Sequence, residues 1–560
     1  MVIRNSKYFD FDLKTEKLLD RQQGRPILID HSKRHSLKAL SLLGITVLGG
    51  CCSVSPKIEF NDNRRQQIGS TSLHFTPPDS NHNFVKVIDA HSHFFNGSDL
   101  QAGGYLSGPL ANEWSNLEEY QAIYRLVRYL GNIIQTIANI IAPSARDEWR
   151  FLDQLSDNRG FTTEAVLLTY LDNQIENEFR QASQWFYDEV KNTDFPKYYE
   201  EALTSSGFSE FSGPIQFDEN VLYQALTSDF NELENTNAFR NQQFKFDPRI
   251  IGSIMSFVGR MLCRRFTNIR SYQKNFTEGA ADLKVVAATD VLVDFDYWLG
   301  DCDSAFSRMQ DQIYLHERIN QTTNGYTIPI VAFNPWKAAI DKQTYLDILE
   351  DAFRNRGFKG AKIYPTIGYY PHGKLGTASE YRTRKKLPKE KALKNAFNEF
   401  YRLCHDLNIV VMAHGNYSMG ERESFKDMAG PAAWRTVFKE INTNQRVNIG
   451  HFGGEHANWM QDFTTLMRDA PNLYADLGYR NKLIESDNAE QFINWVRTNI
   501  APNHKAIDRI LYGTDWFMLD MYPDWRTYMT DLYTSLKIAG ASPGELDKIF
   551  YQNARELFNL

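Results

Sequence analysis

From residue 285 to the C-terminus, short apolar runs alternate with amphipathic stretches of helical period, and this rhythm leaves few folds open. Residues 285–293, 326–333, 360–364, 409–413, 447–450, 473–477 and 510–513 have the length and apolar content of buried strands. They are followed by stretches of helical spacing at 304–320, 345–356, 389–407, 432–441, 459–468, 489–499 and 543–558. An earlier apolar run, 85–90, brings the units to eight. Eight strand-helix units predict an α/β fold, the (β/α)8 TIM barrel.

Between the first two predicted strands lies a long block, residues 100–284, with a different pattern. Ile123, Leu126, Leu130, Ile133, Ile134, Ile137 and Ile141 recur at helical spacing, and 165–190 is a second long stretch without Gly or Pro. Setting aside an insertion of about 185 residues leaves roughly 290 for the barrel, near the ~250 usual for that fold. The insertion leaves the C-terminal end of strand one, where barrel loops build active sites, so a helical cap over that end is expected.

The N-terminal 50 residues read as a separate object. They carry nine Lys and Arg against five Asp and Glu, whereas the whole chain has a net charge of -7. A basic stretch at 32–38 precedes an apolar run at 39–50, which ends at Cys51. About 12 residues are too few to span a bilayer and fit the apolar core of a signal peptide. Leu48-Gly-Gly-Cys51 resembles a bacterial lipoprotein box, and Lys33-Arg34 stands where a twin-arginine signal has two arginines. The expectation is an exported protein, periplasmic or anchored to a membrane through a lipid on Cys51; the alternative is that 37–50 is a buried helix. Residues 51–83, polar and with Pro77-Pro78, read as a linker, which leaves 84–560 as the barrel domain.

Composition removes other classes. With 42% hydrophobic and 13% aromatic residues the chain cannot be mainly disordered. Its acidic balance, without a long Lys/Arg run in the body of the chain, offers no footprint for nucleic acid. The cysteines, Cys51 and Cys52 adjacent and Cys263, Cys302 and Cys404 scattered, make neither a disulfide framework nor a cysteine zinc site. The expected partner is therefore a small-molecule substrate, with self-association into a homo-oligomer left open.

The chemistry-bearing residues fall at the strand ends. His91 and His93 follow strand one, and alternation along an extended chain puts both imidazoles on one side. Lys362 lies in strand four, His414 and His451 follow strands five and six, and Asp515 follows strand eight. In a barrel all of these share one rim. Imidazoles and a carboxylate that converge are a metal site in the making. Tyr364, Trp336, Asn416, His372, His456 and Trp516 lie in the same loops and are weaker candidates for substrate contact; Asp294 and Asp296 divide between helix capping and substrate contact.

With these residues in place, the chain from about 85 to 560 resembles the amidohydrolase superfamily of metal-dependent hydrolases, in its amidohydrolase-2 branch. The resemblance rests on Val-Ile-Asp-Ala-His-Ser-His93, Gly-Phe-Lys-Gly-Ala-Lys-Ile-Tyr-Pro365, Val-Met-Ala-His414, Ile-Gly-His-Phe-Gly-Gly454, Tyr-Gly-Thr-Asp515 and Asn-Ala-Arg-Glu-Leu-Phe558, in that order. The insertion has no counterpart in it. The resemblance implies that His91, His93 and Asp515 bind a first divalent metal, usually zinc. It further implies that Lys362 is carboxylated to bridge a second ion held by His414 and His451, and that Asp515 shuttles the proton of an activated water. In one-metal members of the branch the strand-one pair, His414 and Asp515 hold the ion, His451 is an acid/base catalyst and Lys362 stays unmodified.

The expected activity is hydrolysis of an amide, lactone or ester-type bond. A metal-dependent decarboxylase on the same barrel is the alternative. A non-catalytic lipoprotein scaffold, binding a partner through the insertion, is the alternative from another class.

Overall fold

The computed structural model describes residues 9–12, 17–20, 26–27, 73–76, 84–115, 117–157, 164–207, 219, 247, 249–279, 282–299, 305–376, 387–441, 444–456 and 458–560. Near the N-terminus Phe9–Asp12, Lys17–Asp20 and Pro26–Ile27 form a small antiparallel sheet. The apolar run at 39–50, Cys51 and most of the linker lie outside the described residues, as does Cys302.

Eight parallel strands, among the described residues, form the barrel: β1 (Val85–Asp89), β2 (Leu283–Val291), β3 (Thr327–Ala332), β4 (Gly360–Ile363), β5 (Val410–His414), β6 (Val447–Gly450), β7 (Leu473–Asp476) and β8 (Ile510–Leu511). They pair in sequence order, each parallel to the next. The ring closes where Ala90 N–H donates to Tyr512 O at 2.9 Å and Asp515 N–H donates to His91 O at 2.6 Å.

Both faces of the strands are buried apart from the first halves of β1 and β2, which is why they appear in the sequence as apolar runs. Ile88, Ala90, Ile328, Ile330, Val410, Met412 and Leu511 fill the interior, and Leu557 and Phe558 of the terminal helix plug the end opposite the strand-end histidines. That terminal segment starts with a capping box: Ser542 Oγ accepts from Glu545 N–H at 3.3 Å while Glu545 Oε2 accepts from Ser542 N–H at 2.8 Å.

The elements differ from the sequence expectation at several points: the helix expected over 489–499 spans Ser486–Val496, and Asn499–Ala501 is a short strand. The helix predicted from 304 begins at Met309, because Ser307 N–H is already committed to Ser98 O at 2.7 Å and its backbone is held by the loop after β1. A helix at Tyr528–Ile538, which the sequence reading passed over, packs before the terminal one. Its apolar positions Tyr528, Met529, Leu532 and Leu536 are buried at helical spacing, yet their flanks carry too few charges to stand out.

The described residues between β1 and β2 are mainly helical: α1 (Ala102–Tyr105), continued by a π turn at Leu106–Leu110, then α2 (Gln121–Ile141), α3 (Ala145–Asp157), α4 (Glu164–Val190), α5 (Phe195–Ser206), α6 (Arg249–Leu262) and α7 (Arg265–Gln273). The α2 stripe of Ile123, Leu126, Leu130, Ile134 and Ile137 is buried. No helix among the described residues is long and apolar enough to cross a membrane.

Within this block the fully buried Arg265 ties α7 to α3 and to the segment that leaves β1. Its guanidinium donates to Asp99 at 2.5 and 2.8 Å, to Glu148 at 2.8 Å, and to Ser98 Oγ at 2.9 Å. Removing one member of such a set strands the others in a low-dielectric interior. Arg265→Met is therefore expected to lower unfolding free energy by about 3–5 kcal/mol; chemical denaturation checks this, and an unchanged midpoint would contradict the clamp.

Candidate metal centre

The local backbone explains why the strand ends present side chains inward. After β1 the chain bends at Ala90 and His91 and pairs again at Ser92 with Trp516, and His91 and His93 converge on one centre. Asp515 has φ of +59° and His451 of +65°, the left-handed region that non-glycine residues seldom adopt. Asp515 is held there by its N–H bond to His91 O, so β1 and β8 fix each other's functional side chain.

His91, His93 and Asp515 converge: one nitrogen from each ring and one carboxylate oxygen lie within 4.8 Å of one another. Asp515 Oδ1 is 3.4 Å from His91 Nε2 and 3.5 Å from His93 Nε2. Two ligands bound at 2.0–2.1 Å to a tetrahedral ion are about 3.3 Å apart. The spacing thus matches atoms sharing one cation better than atoms bonded to each other.

The far side of each ring supplies the second half of the fit. His91 Nδ1 donates to Asp476 Oδ1 at 2.9 Å, His93 Nδ1 to Val291 O at 2.9 Å, and His451 Nδ1 to Gly478 O at 2.8 Å. With Nδ1 protonated and tied to an acceptor, each Nε2 keeps its lone pair for the cavity. His414 is less fixed, its Nε2 facing Ser418 Oγ at 3.3 Å. Ring centroids place His451 4.9 Å from His91 and 4.8 Å from His414, so all four imidazoles belong to one cluster.

Charge points the same way. Burial drives all four histidines below their ordinary range, His451 to about 3, and keeps them neutral. Burial also pushes the Asp515 carboxyl well above its ordinary value, with Lys362 opposing. Neutral imidazoles beside a carboxylate that is costly to ionise are a donor set completed by a divalent cation. Lys362 lies among them, its Nζ 2.9 Å from His91 Nε2, and burial lowers it to about 8.

Asp476, at the end of β7, escaped the sequence reading although it obeys the same strand-end rule. It is fully buried and accepts from His91 Nδ1, from Asn448 Nδ2 at 2.8 Å, and from the N–H groups of His451 and Gly478 at 3.0 Å each. Acting through His91 and His451, it is a positioning residue. Asp476→Asn is expected to weaken affinity for a divalent ion about 10–100-fold without unfolding the barrel; competition with a chelator of known affinity reads this out, and an unchanged affinity would remove the role.

Of the weaker candidates, Tyr364 alone lines the cavity, its hydroxyl 3.3 Å from His93 Nε2. Trp516 lies under the Arg260 guanidinium, 4.5 Å from its ring, and Trp336 packs edge-on against Trp298. His456 stacks with Tyr417 and Trp459, outside the cavity lining, which also omits Asn416 and His372. Asp294 and Asp296 turn out to be structural: Lys337 bridges both, Asn334 Nδ2 donates to Asp294 at 2.9 Å, and Gln101 Nε2 donates to Asp296 at 2.5 Å. Tyr105 and Pro109, from the segment that continues β1, were not anticipated and line the cavity opposite the polar cluster.

A family model described as Amidohydrolase matches residues 278–560. Among solved structures, an amidohydrolase 2 from Bifidobacterium longum subsp. infantis is 14% identical with a TM-score of 0.28, covering 50% of this chain and 82% of that one. The 5-carboxyvanillate decarboxylase LigW from Sphingomonas paucimobilis is 10% identical with a TM-score of 0.33, covering 49% and 79%. A zinc-bound amidohydrolase from Burkholderia multivorans is 12% identical with a TM-score of 0.25, covering 46% and 90%. No curated protein matches the chain. A barrel of eight parallel strands, carrying His91, His93 and Asp515 together at one rim and matched by the family model over residues 278–560, belongs to the amidohydrolase family.

Proposed function

We propose that this chain is a metal-dependent hydrolase that cleaves an amide, lactone or ester-type bond of a small molecule. The observation that carries the proposal is the convergence of His91 Nε2, His93 Nε2 and Asp515 Oδ1, each imidazole tied behind by its Nδ1–H. These three would hold one divalent ion, zinc by donor type. Lys362, carboxylated by CO2 at its amine, would join His414 and His451 around a second. Burial lowers the Lys362 amine toward the neutral form that this addition requires.

A bound ion supplies a Lewis acid that polarises the scissile carbonyl and acidifies water. Asp515 accepts the proton of the attacking water and returns it to the leaving group. If only one ion is held, His451, hydrogen-bonded through Nδ1 to Gly478 O, would keep its Nε2 lone pair free to accept from the attacking water. Tyr364 borders the reacting group through its hydroxyl. By the same proposal the enzyme is exported and anchored through Cys51, so labelled fatty acid is expected to enter the wild type and not Cys51→Ala.

Metal analysis of the purified full-length protein, together with hydrolysis of phenyl acetate, acetanilide and dihydrocoumarin, tests the reading. About two ions per chain with hydrolysis supports it in full, and one ion with hydrolysis removes the bridging role of Lys362. CO2 release from aromatic carboxylates without hydrolysis replaces it by the decarboxylase reading, and no bound metal ends it.

A further inference from the structure

The cavity has two unlike halves. One is the cluster of histidines and Asp515. The other is walled by Phe95, Phe295, Ile367, Met419, Met518 and Tyr105. Among the described residues, no Lys, Arg or Glu lines it. A substrate that reaches the polar centre must lay its remainder against carbon and sulfur. A second ionised group would lose its hydration there with no partner to replace it.

Tyr105 is the one hydroxyl in that apolar half. It is 7% exposed, and its O–H donates to Met518 Sδ at 3.2 Å and faces Met419 Sδ at 3.9 Å. A thioether is a weak acceptor, so a buried phenol left with sulfur alone is a donor whose hydrogen-bonding capacity is largely unspent. An arriving carbonyl or leaving-group oxygen gives it a better acceptor than it has at rest.

The ring is also held in place before any ligand arrives. Tyr105 stacks on Phe295 with centroids 6.1 Å apart and planes inclined by 6°. The turn beneath it is wedged by close backbone approach, since a Cβ on Gly104 would lie 2.4 Å from Leu299 O and one on Gly103 would lie 2.6 Å from Gly131 O. A donor so fixed in a water-poor pocket costs little reorganisation when charge develops on its acceptor.

We propose that Tyr105, contributed by the helical insertion, is a catalytic hydrogen-bond donor to the oxygen of an uncharged, apolar carbonyl substrate: an ester, lactone or amide without a second ionised group. The assignment rests on the hydrolase reading for its reaction, though not for its binding site. Water adds across the acyl bond to give acid and alcohol or amine. Tyr105 donates a hydrogen bond throughout and transfers no proton.

The test compares the zinc-loaded full chain with Tyr105→Phe, which removes one oxygen and keeps the stacked ring. Phenyl acetate and its anionic analogue 4-acetoxybenzoate report on turnover, and calorimetric binding of benzamide reports on the site without turnover. The wild type is expected to prefer phenyl acetate by on the order of tenfold or more in kcat/KM. Tyr105→Phe is expected to lower kcat on phenyl acetate by on the order of 10–100-fold at similar KM and unchanged zinc content. It is also expected to weaken benzamide about 5–10-fold. Benzamide binding that depends on the hydroxyl while neither ester is cleaved would sink the hydrolase reading and leave the Tyr105 site standing. A preference for 4-acetoxybenzoate, a wild type that does not bind benzamide, or a variant unchanged in both kcat and benzamide affinity would overturn the inference.

Discussion

Replacing His91 by alanine is expected to leave a folded protein that no longer retains zinc through gel filtration and whose turnover falls by on the order of 10³-fold or more. His91 contributes on both sides of its ring. Nε2 is one of three donors within 4.8 Å, and Nδ1 engages Asp476. Losing the ring removes a ligand and leaves the Asp476 carboxylate with its three remaining donors from Asn448, His451 and Gly478. Those donors keep the carboxylate satisfied, so the loss falls on metal binding more than on folding. Elemental analysis and a thermal scan of the same sample separate the two effects. A variant that is fully metal-loaded and active would refute the assignment.

Asp515→Asn is expected to show a different signature, because the amide keeps the size and one ligand oxygen of the carboxylate but cannot take a proton. Turnover is expected to fall on the order of 10³-fold, with zinc affinity reduced far less. In the metal-free protein the sign reverses. Burial raises the Asp515 carboxyl above its unfolded value, so its ionisation costs folding free energy at neutral pH, and that penalty disappears in the neutral amide. Metal-free Asp515→Asn is accordingly expected to unfold at the same temperature as the metal-free wild type or above it. Added zinc should raise the wild-type midpoint more than the variant's. A metal-free variant that unfolds well below the wild type would mean that Asp515 is held by partners other than a cation.

The two substitutions together distinguish a ligand from a proton carrier at one centre. His91→Ala abolishes occupancy, and Asp515→Asn abolishes turnover with occupancy largely kept. Equal loss of metal in both would make Asp515 a ligand alone. The Tyr105→Phe comparison is independent of both, since it leaves every donor of the polar cluster in place.

The barrel was legible in the sequence because strands buried on both faces must be apolar throughout, while the helices that cover them keep one wet face. Those two patterns survive in a one-dimensional string. The polar cluster was legible for a related reason: His91, His93, His414, His451 and Asp515 each sit where a strand ends, and the fold brings strand ends to one rim. Asp476 obeys that rule too. Its signal was weak because a lone acidic residue after an apolar run is ordinary at a strand end.

What the sequence determined by itself is therefore everything set by period and by position along a strand: the fold class, the rim and the donors upon it. Only the tertiary structure decided which near-rim residues face the cavity. It turned Trp336 and Trp516 into packing, tied Asp294 and Asp296 to Lys337, and carried Tyr105 from the insertion to the mouth. Orientation of this kind is fixed by contacts between segments hundreds of residues apart, and neither spacing nor composition encodes it.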